Sequence, residues 1–315
     1  MELLKVHGSM NTFFLYEGSD RDDFPQLAKE LALLDPSVDG LLTVSPSSRA
    51  DAKMRVFNTD GSEASMCGNG LRCVARYVCE REGIEQAVIE TMKADLAVQK
   101  EQEVDAGVNM YGVEISPVSF QLADLPMMFD QHTEWRQRAL PFVGTDIPFT
   151  AVAVPNPHLI GIVGKDLQQD PSHQEKWAAY FNGDNPYFPD GVNLSYVTPL
   201  KEGIFVRTYE RGVGFTDACG TAMTASALVS CLAGHVPFGD VSVFNPGGMV
   251  NCSVKSADGQ YQLKLSGNAT YLGVYRFRAG TASAGGELEL MNQSDEQPAY
   301  ERFIEKISGA TAELR

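Results

Sequence analysis

Short runs of alternating apolar and polar residues recur along most of this chain, separated by Gly, Pro and Asn-Asp punctuation. The stretches "AVIETM", "LAVQK", "YGVEISPVSF", "FTAVAVP", "VNLSYVTP", "VSVFNPGGMVNCSVKS" and "YQLKLSGNATYLGVYRFRA" carry that pattern and predict strands. Helical spacing is rarer. It is clearest in "GLRCVARYVCEREG" (70–83), where Val74, Tyr77 and Val78 share a face and Gly83 supplies a stop. Many strands with few long helices predict an α+β fold, not a doubly wound parallel sheet.

One order of elements occurs twice. "KMRVF" (53–57) reads as a strand, "NTDGS" (58–62) as a turn, and "SMCGNG" (65–70) leads into the helix above. About 150 residues on, "GIFVRTYE" (203–210) reads as a strand and "RGVGFTDA" (211–218) as a loop, and "CGTAMTASALVSCLAG" begins a helix of small residues ending near Gly234. Strand, loop, Cys-Gly and helix therefore appear once in each half, which predicts two similar domains. The last segment, 281–315, reads as an extension, either a flexible tail or a small docking helix through "ERFIEKI", with the flexible tail preferred.

The length of 315 residues suits two domains, and 43% apolar residues suit a globular chain. No apolar run reaches the ~18 residues of a membrane span. The opening "MELLKVHGSM" lacks the profile of a secretory leader, so the expected location is cytoplasmic. A net charge of −16 argues against nucleic acid and anionic membranes as partners.

Six cysteines are present, at 67, 73, 79, 219, 231 and 252, none in a C-x-x-C pair, so neither a zinc site nor a redox dithiol is expected. Most read as packing, Cys73 among them. Cys67 and Cys219 differ, because both precede a glycine at a loop-to-helix junction. A helix N-terminus presents unpaired N–H groups and partial positive charge, which bind a carboxylate and lower a thiol's pKa. Two such junctions acting on one substrate suit proton removal beside a carboxylate. The N–H groups stabilise the developing charge, one thiolate takes the proton, and the other thiol returns one from the opposite face. No cofactor and no metal is needed. A Cys–His hydrolase is the competing chemistry, with His158 in "PNPH" as the best-placed base, although a histidine there reads more readily as a structural hydrogen-bonder. A phosphate-cradling loop is disfavoured, since "CGNG" lacks the lysine such loops use.

These residues resemble a known family. "FNTDGSEASMCGNGLRCVARYV" and "YERGVGFTDACGT" are similar to the two signatures of the diaminopimelate epimerases, supported by "KVHGSMNTFF", "AVPNPHLI" and "FPDGVNLSYV" in the family's order, over roughly residues 1–280. The resemblance implies interconversion of L,L- and meso-diaminopimelate without pyridoxal phosphate, in the supply of lysine and peptidoglycan precursors. It implies two pseudo-symmetric α/β domains, each with a mainly antiparallel sheet around a central helix and the active site in the cleft between them. Carried over, 1–118 plus 266–280 form one domain, 119–265 the other, and 281–315 lie beyond the family core.

The resemblance also implies that Cys67 and Cys219 are the base–acid pair, with Cys67 acting on the L,L substrate and Cys219 on the meso form. Substrate-binding positions map to Asn11, Asn58, Asn69, Asn156, Asn193, Glu210 and Arg211, with the backbones of Gly68, Asn69, Gly220 and Thr221 holding the reacting carboxylate. The residue types fit the ligand: Arg forks onto a carboxylate, Glu pairs with an ammonium, and Asn offers donors and acceptors. Two departures stand out. Gly40 lies where many members carry a substrate-contacting Gln, and Ala222 lies where Gly is commoner. Competing readings are a racemase of another amino acid, proline, hydroxyproline or histidine, and a non-catalytic amino-acid-binding protein. Proline racemases resemble this chain less, since they would have His in place of Asn69. Oligomeric state is not legible, with a homodimer one candidate.

Overall fold

The structure is a computed structural model that describes residues 1–19, 23–257, 259–280, 286–309, 311 and 313–314. The chain divides into two compact units, Met1–Glu114 with Ser266–Lys306, and Ile115–Leu265 with Ile307–Arg315. Among the described residues, no helix is long and apolar enough to cross a membrane.

In the first unit the elements are β1 (Glu2–Gly8), β2 (Asn11–Glu17), α1 (Phe24–Leu34), β3 (Gly40–Ser45), β4 (Ala52–Asn58), β5 (Glu63–Ala64), α2 (Gly68–Glu82), β6 (Gln86–Glu90), β7 (Asp95–Lys100) and β8 (Met110–Glu114). β1 and β2 form a hairpin, β2 runs parallel to β3, β3 antiparallel to β4, β4 parallel to β6, and β6, β7 and β8 pair antiparallel in turn. This sheet curls around α2, which touches β1 to β4 and β6 to β8. That is why α2 buries Leu71, Cys73, Val74, Ala75, Val78 and Cys79 and even Arg72, and it ends at Gly83, whose φ of 66° suits glycine best. On the other face of the sheet, α1 packs Phe24, Leu27, Ala28 and Leu31 against Leu3, Phe14, Leu41 and Phe57.

The second unit repeats the plan with β9 (Phe149–Val154), β10 (Asn156–Ile162), α3 (Lys165–Gln169), α4 (Ser172–Phe181), β11 (Asn193–Leu200), β12 (Gly203–Glu210), β13 (Gly214–Thr216), α5 (Gly220–Leu232), β14 (Gly239–Asn245) and β15 (Gly248–Ala257). Its pairings run in the same order: β9–β10 antiparallel, β10–β11 parallel, β11–β12 antiparallel, β12–β14 parallel, β14–β15 antiparallel. α5 is enclosed as α2 is. Its small residues Ala222, Ala225 and Ala227 are fully buried, so a helix without a polar face is stable here. The core below it is aromatic, built on Trp135, Phe149, Phe181, Phe188 and Tyr196. The amphipathic helices α1 and α4, each lying between the second and third strands of its unit, escaped the strand-dominated sequence reading.

β16 (Gln260–Asn268) carries the chain back, and β17 (Thr270–Arg278) lies antiparallel to β1. The segment beyond β17 departs from the flexible tail preferred from the sequence. Residues 281–285 lie outside the described residues, but β18 (Glu287–Gln293) extends the sheet on β17 and α6 (Gln297–Ser308) packs with Tyr300 and Phe303 buried. The reason is specific pairing. Glu296 accepts two hydrogen bonds from the Arg76 guanidinium of α2, at 2.6 and 2.7 Å, and one from the Tyr271 backbone N–H at 3.0 Å.

Candidate active-site residues

The repeat places the sequence-predicted residues at equivalent ends of equivalent elements. Asn11 opens β2 as Asn156 opens β10, and Gly40 opens β3 as Asn193 opens β11. Asn58 closes β4 as Glu210 closes β12, and Cys67 caps α2 as Cys219 caps α5. Strand ends and helix N-termini on one rim are where backbone groups remain free to meet a ligand.

In the first unit, Cys67 is extended (φ −142°, ψ 108°) and half-buried, and its sulfur accepts the Gly70 N–H at 3.4 Å. A Cβ at Gly70 would stand 2.6 Å from Leu42 Cδ2, so any larger residue there forces that buried side chain to shift. The Cys67 thiol reaches Asn11 Oδ1 at 3.8 Å, and Asn69 Nδ2 donates to the same oxygen at 3.3 Å. Cys67, Gly68, Asn69 and Asn11 are thus one cluster. Asn58 stands apart from these bonds, its side chain donating to Ser62 Oγ at 2.9 Å in the turn that the Asp60–Gly61 pair predicts. Gly40 leaves no space for a side chain on this backbone, since a Cβ would approach Phe57 O to 2.3 Å. Cys73 is fully buried, and burial pushes its thiol up to about 12, as expected of packing.

Sequence reasoning missed the residues that hold this cluster. Arg72 is fully buried, donating from Nη1 to Asn69 Oδ1 at 3.0 Å, from Nη2 to Ser9 Oγ at 2.9 Å and from Nε to Asn268 O at 3.1 Å. Asp39 accepts from Asn11 Nδ2 at 2.8 Å and from the Thr12 N–H at 2.7 Å. The available signal was a cation on the apolar face of a predicted helix, which is retained only when its donors are satisfied.

In the second unit, Cys219 is extended (φ −112°, ψ 108°) ahead of Gly220 and buried. Its thiol lies 3.7 Å from Thr221 Oγ1. Position at a helix N-terminus predicts a lowered pKa, and here the reverse holds. Burial raises the Cys219 thiol well above its ordinary value and the negative Glu210 adds to the rise, outweighing the Ala222 N–H and the Thr221 hydroxyl. Glu210 in turn accepts from Thr216 Oγ1 at 2.5 Å. His158 is fully buried with Nε2 3.1 Å from Thr221 Oγ1, and burial followed by the Arg211 charge lowers it to about 3. A histidine held neutral against a threonine serves as a hydrogen-bonding strut, not as the base of a cysteine nucleophile. Asn193 Oδ1 accepts the Arg211 N–H at 2.8 Å, and Arg211 Nη1 donates to Asp190 O at 2.8 Å, leaving the rest of an exposed guanidinium in solvent. Asn156 is half-buried at the head of its strand.

A family model described as diaminopimelate epimerase matches residues 3–114 and 150–272. The chain is 43% identical over 321 residues to a diaminopimelate epimerase of Enterococcus faecalis, covering 96% of this chain and 98% of the relative. It is 43% identical over 325 residues to one of Ligilactobacillus salivarius, covering 98% and 99%. Among solved structures, a Bacillus anthracis phenazine biosynthesis protein has a TM-score of 0.64 at 15% identity, covering 87% of this chain and 97% of that one. A methylitaconate-delta-isomerase has a TM-score of 0.58 at 14% identity, covering 92% and 96%. At such identities these two structures share the fold and carry nothing further.

Proposed function

The chain belongs to the diaminopimelate epimerase family, and from that premise we propose that Cys67 and Cys219 are the acid–base pair with which it inverts an α-carbon of diaminopimelate. The enzyme is an isomerase, and its product serves lysine biosynthesis. The observation that carries the cysteine assignment is the repeat itself: each unit encloses one helix, and each of those helices is capped by a cysteine followed by glycine.

In this reading both capped helices address one substrate α-carbon from opposite faces. Cys67 as thiolate takes the α-proton and becomes a thiol. The electron pair left on carbon delocalises onto the carboxylate oxygens, which the N–H groups of Gly68, Asn69, Gly220 and Thr221 stabilise. The Cys219 thiol then gives its proton to the other face, leaving the inverted centre and a Cys219 thiolate. The meso form reacts by the same steps in reverse. Cys219 is suited to wait as the acid, because burial and Glu210 keep its proton on. Cys67, half-buried where Cys219 is buried, takes the part of the base in this reading. Asn11, Asn58, Asn69, Asn156, Asn193, Glu210 and Arg211 then bind the ammonium groups and the distal carboxylate, with Arg211 supplying a guanidinium whose remaining donors face solvent.

The test is turnover of L,L-diaminopimelate in deuterium oxide. Meso product carrying α-deuterium is expected, with turnover lost in both Cys67→Ala and Cys219→Ala. Retention of turnover in either variant sinks the two-thiol mechanism, and exchange of proline in preference to diaminopimelate sinks the substrate.

A further inference from the structure

The first turn of α6 meets the first unit beside the turn that joins β1 and β2. β1 and β2 are joined by Gly8-Ser9-Met10-Asn11, with Gly8 opposite Asn11 and φ of 53° at Ser9 and 65° at Met10. Two consecutive left-handed residues make a tight hairpin turn that Asn-Gly adopts readily and that Ser-Met adopts only when held. Three groups hold it. Asn268 Oδ1 accepts the Ser9 N–H at 2.8 Å, Arg72 Nη2 donates to Ser9 Oγ at 2.9 Å, and His7 Nδ1 accepts the Met10 N–H at 3.2 Å. The residue delivered by the turn is Asn11, whose Oδ1 faces the Cys67 thiol.

His7 can act as that acceptor in one tautomer alone. With Nδ1 facing the Met10 N–H and the Asn268 amide at 3.3 Å, the proton must sit on Nε2 and needs an acceptor. That acceptor is Gln297 Oε1, 2.8 Å away on the first turn of α6. Gln297 is itself oriented, since its Nε2 donates to Glu301 Oε1 one helical turn on at 3.0 Å. His7 is buried, edge-on to Tyr300 with centroids 4.8 Å apart, and burial lowers it to about 4, so the ring is neutral. Glu296, the residue before α6, pairs with Arg76 of α2, the helix that Cys67 precedes.

We propose that Gln297 of the C-terminal helix is a positioning residue for the Cys67 half of the reaction: it locks His7 in the Nε2–H tautomer, which holds the Ser9–Met10 turn and so sets Asn11 against the reacting thiol. The functional part of this rests on the reading of Cys67 as a proton-transfer residue. The geometric part does not.

The test is Gln297→Met, which keeps the side chain's length and removes the acceptor. Three quantities are read on the full-length enzyme: kinetics with diaminopimelate, the tautomer of His7 by 15N shifts of labelled histidine, and iodoacetamide labelling of Cys67 and Cys219 mapped by mass spectrometry. The expected result is a kcat lower by about tenfold, as misplacement of a reacting group produces, with KM little changed. The His7 signal shifts away from a pure Nε2–H pattern, and the labelling rate changes at Cys67 but not at Cys219. Unchanged Cys67 labelling, a pure Nε2–H signal or equal changes at both cysteines overturns the proposal. So does a raised KM with kcat preserved. If Cys67→Ala still turns over substrate, the acid–base reading fails while the tautomer and labelling arms still judge the geometry.

Discussion

Replacing Glu296 by Ala tests whether the C-terminal segment is integral to the first unit. Arg76 has a side chain 6% exposed and Glu296 one 20% exposed, and the two form a forked pair at 2.6 and 2.7 Å. Removing one partner of a buried pair costs about 3–5 kcal/mol because a charge is left uncompensated. Three features reduce that figure here. Arg76 keeps Glu80 at 2.8 Å, the Ala269 carbonyl at 2.7 Å, and the Tyr271 ring with its guanidinium 3.7 Å from the centroid. One feature restores part of it, since the Tyr271 N–H also loses its acceptor. The balance is a loss of about 2–3 kcal/mol, which at ~2–4 °C per kcal/mol for a unit of this size lowers its melting point by about 4–12 °C. Both tryptophans, Trp135 and Trp177, lie in the second unit, so tryptophan fluorescence would miss the event. Hydrogen exchange of peptides from α2 and β17 is the suitable assay. Protection there should fall while peptides from α5 stay unchanged. A double-mutant cycle with Arg76→Met should return a coupling above ~1 kcal/mol. Coupling indistinguishable from zero refutes the reasoning, and Lys306→Ala, which removes an exposed pair with Asp105, should leave exchange unaltered.

The same geometry sets other outcomes. Gly70→Ala places a methyl 2.6 Å from Leu42 Cδ2 and 3.5 Å from the Cys67 sulfur, so kcat should fall by at least about tenfold, a loss that equal kcat in variant and parent would contradict. At pH 8 iodoacetamide should label Cys67 ahead of Cys219, whose thiol is held up by burial and Glu210. The gap should narrow as pH rises, and Glu210→Gln should speed labelling at Cys219. His7 and His158 are lowered to about 4 and about 3 from 6.5, so the unfolded chain binds the extra protons. Their stabilisation is complete above pH 6.5 and is lost as pH falls toward 4, at about 1.4 kcal/mol per pH unit for each histidine. Denaturant midpoints measured between pH 7 and 4.5 should show that slope, and His7→Asn should halve it.

The features legible in the sequence were local. Alternation marked the strands because side chains leave a strand to opposite faces, and Cys-Gly at two loop-to-helix junctions marked both thiols because only certain residues start a helix there. The family signatures around those junctions then supplied the activity. Tertiary structure decided the remainder. Whether Cys219 rests as thiol or thiolate depends on its burial and on Glu210, not on its place at a helix end. The partners of Arg72 exist only once the enclosing sheet buries it against Asn69 and Ser9. The fate of the C-terminal segment turned on Glu296 meeting Arg76 across 220 residues. Periodicity and turn chemistry are written within a few neighbours, whereas desolvation and long-range pairing exist only once the chain has closed on itself.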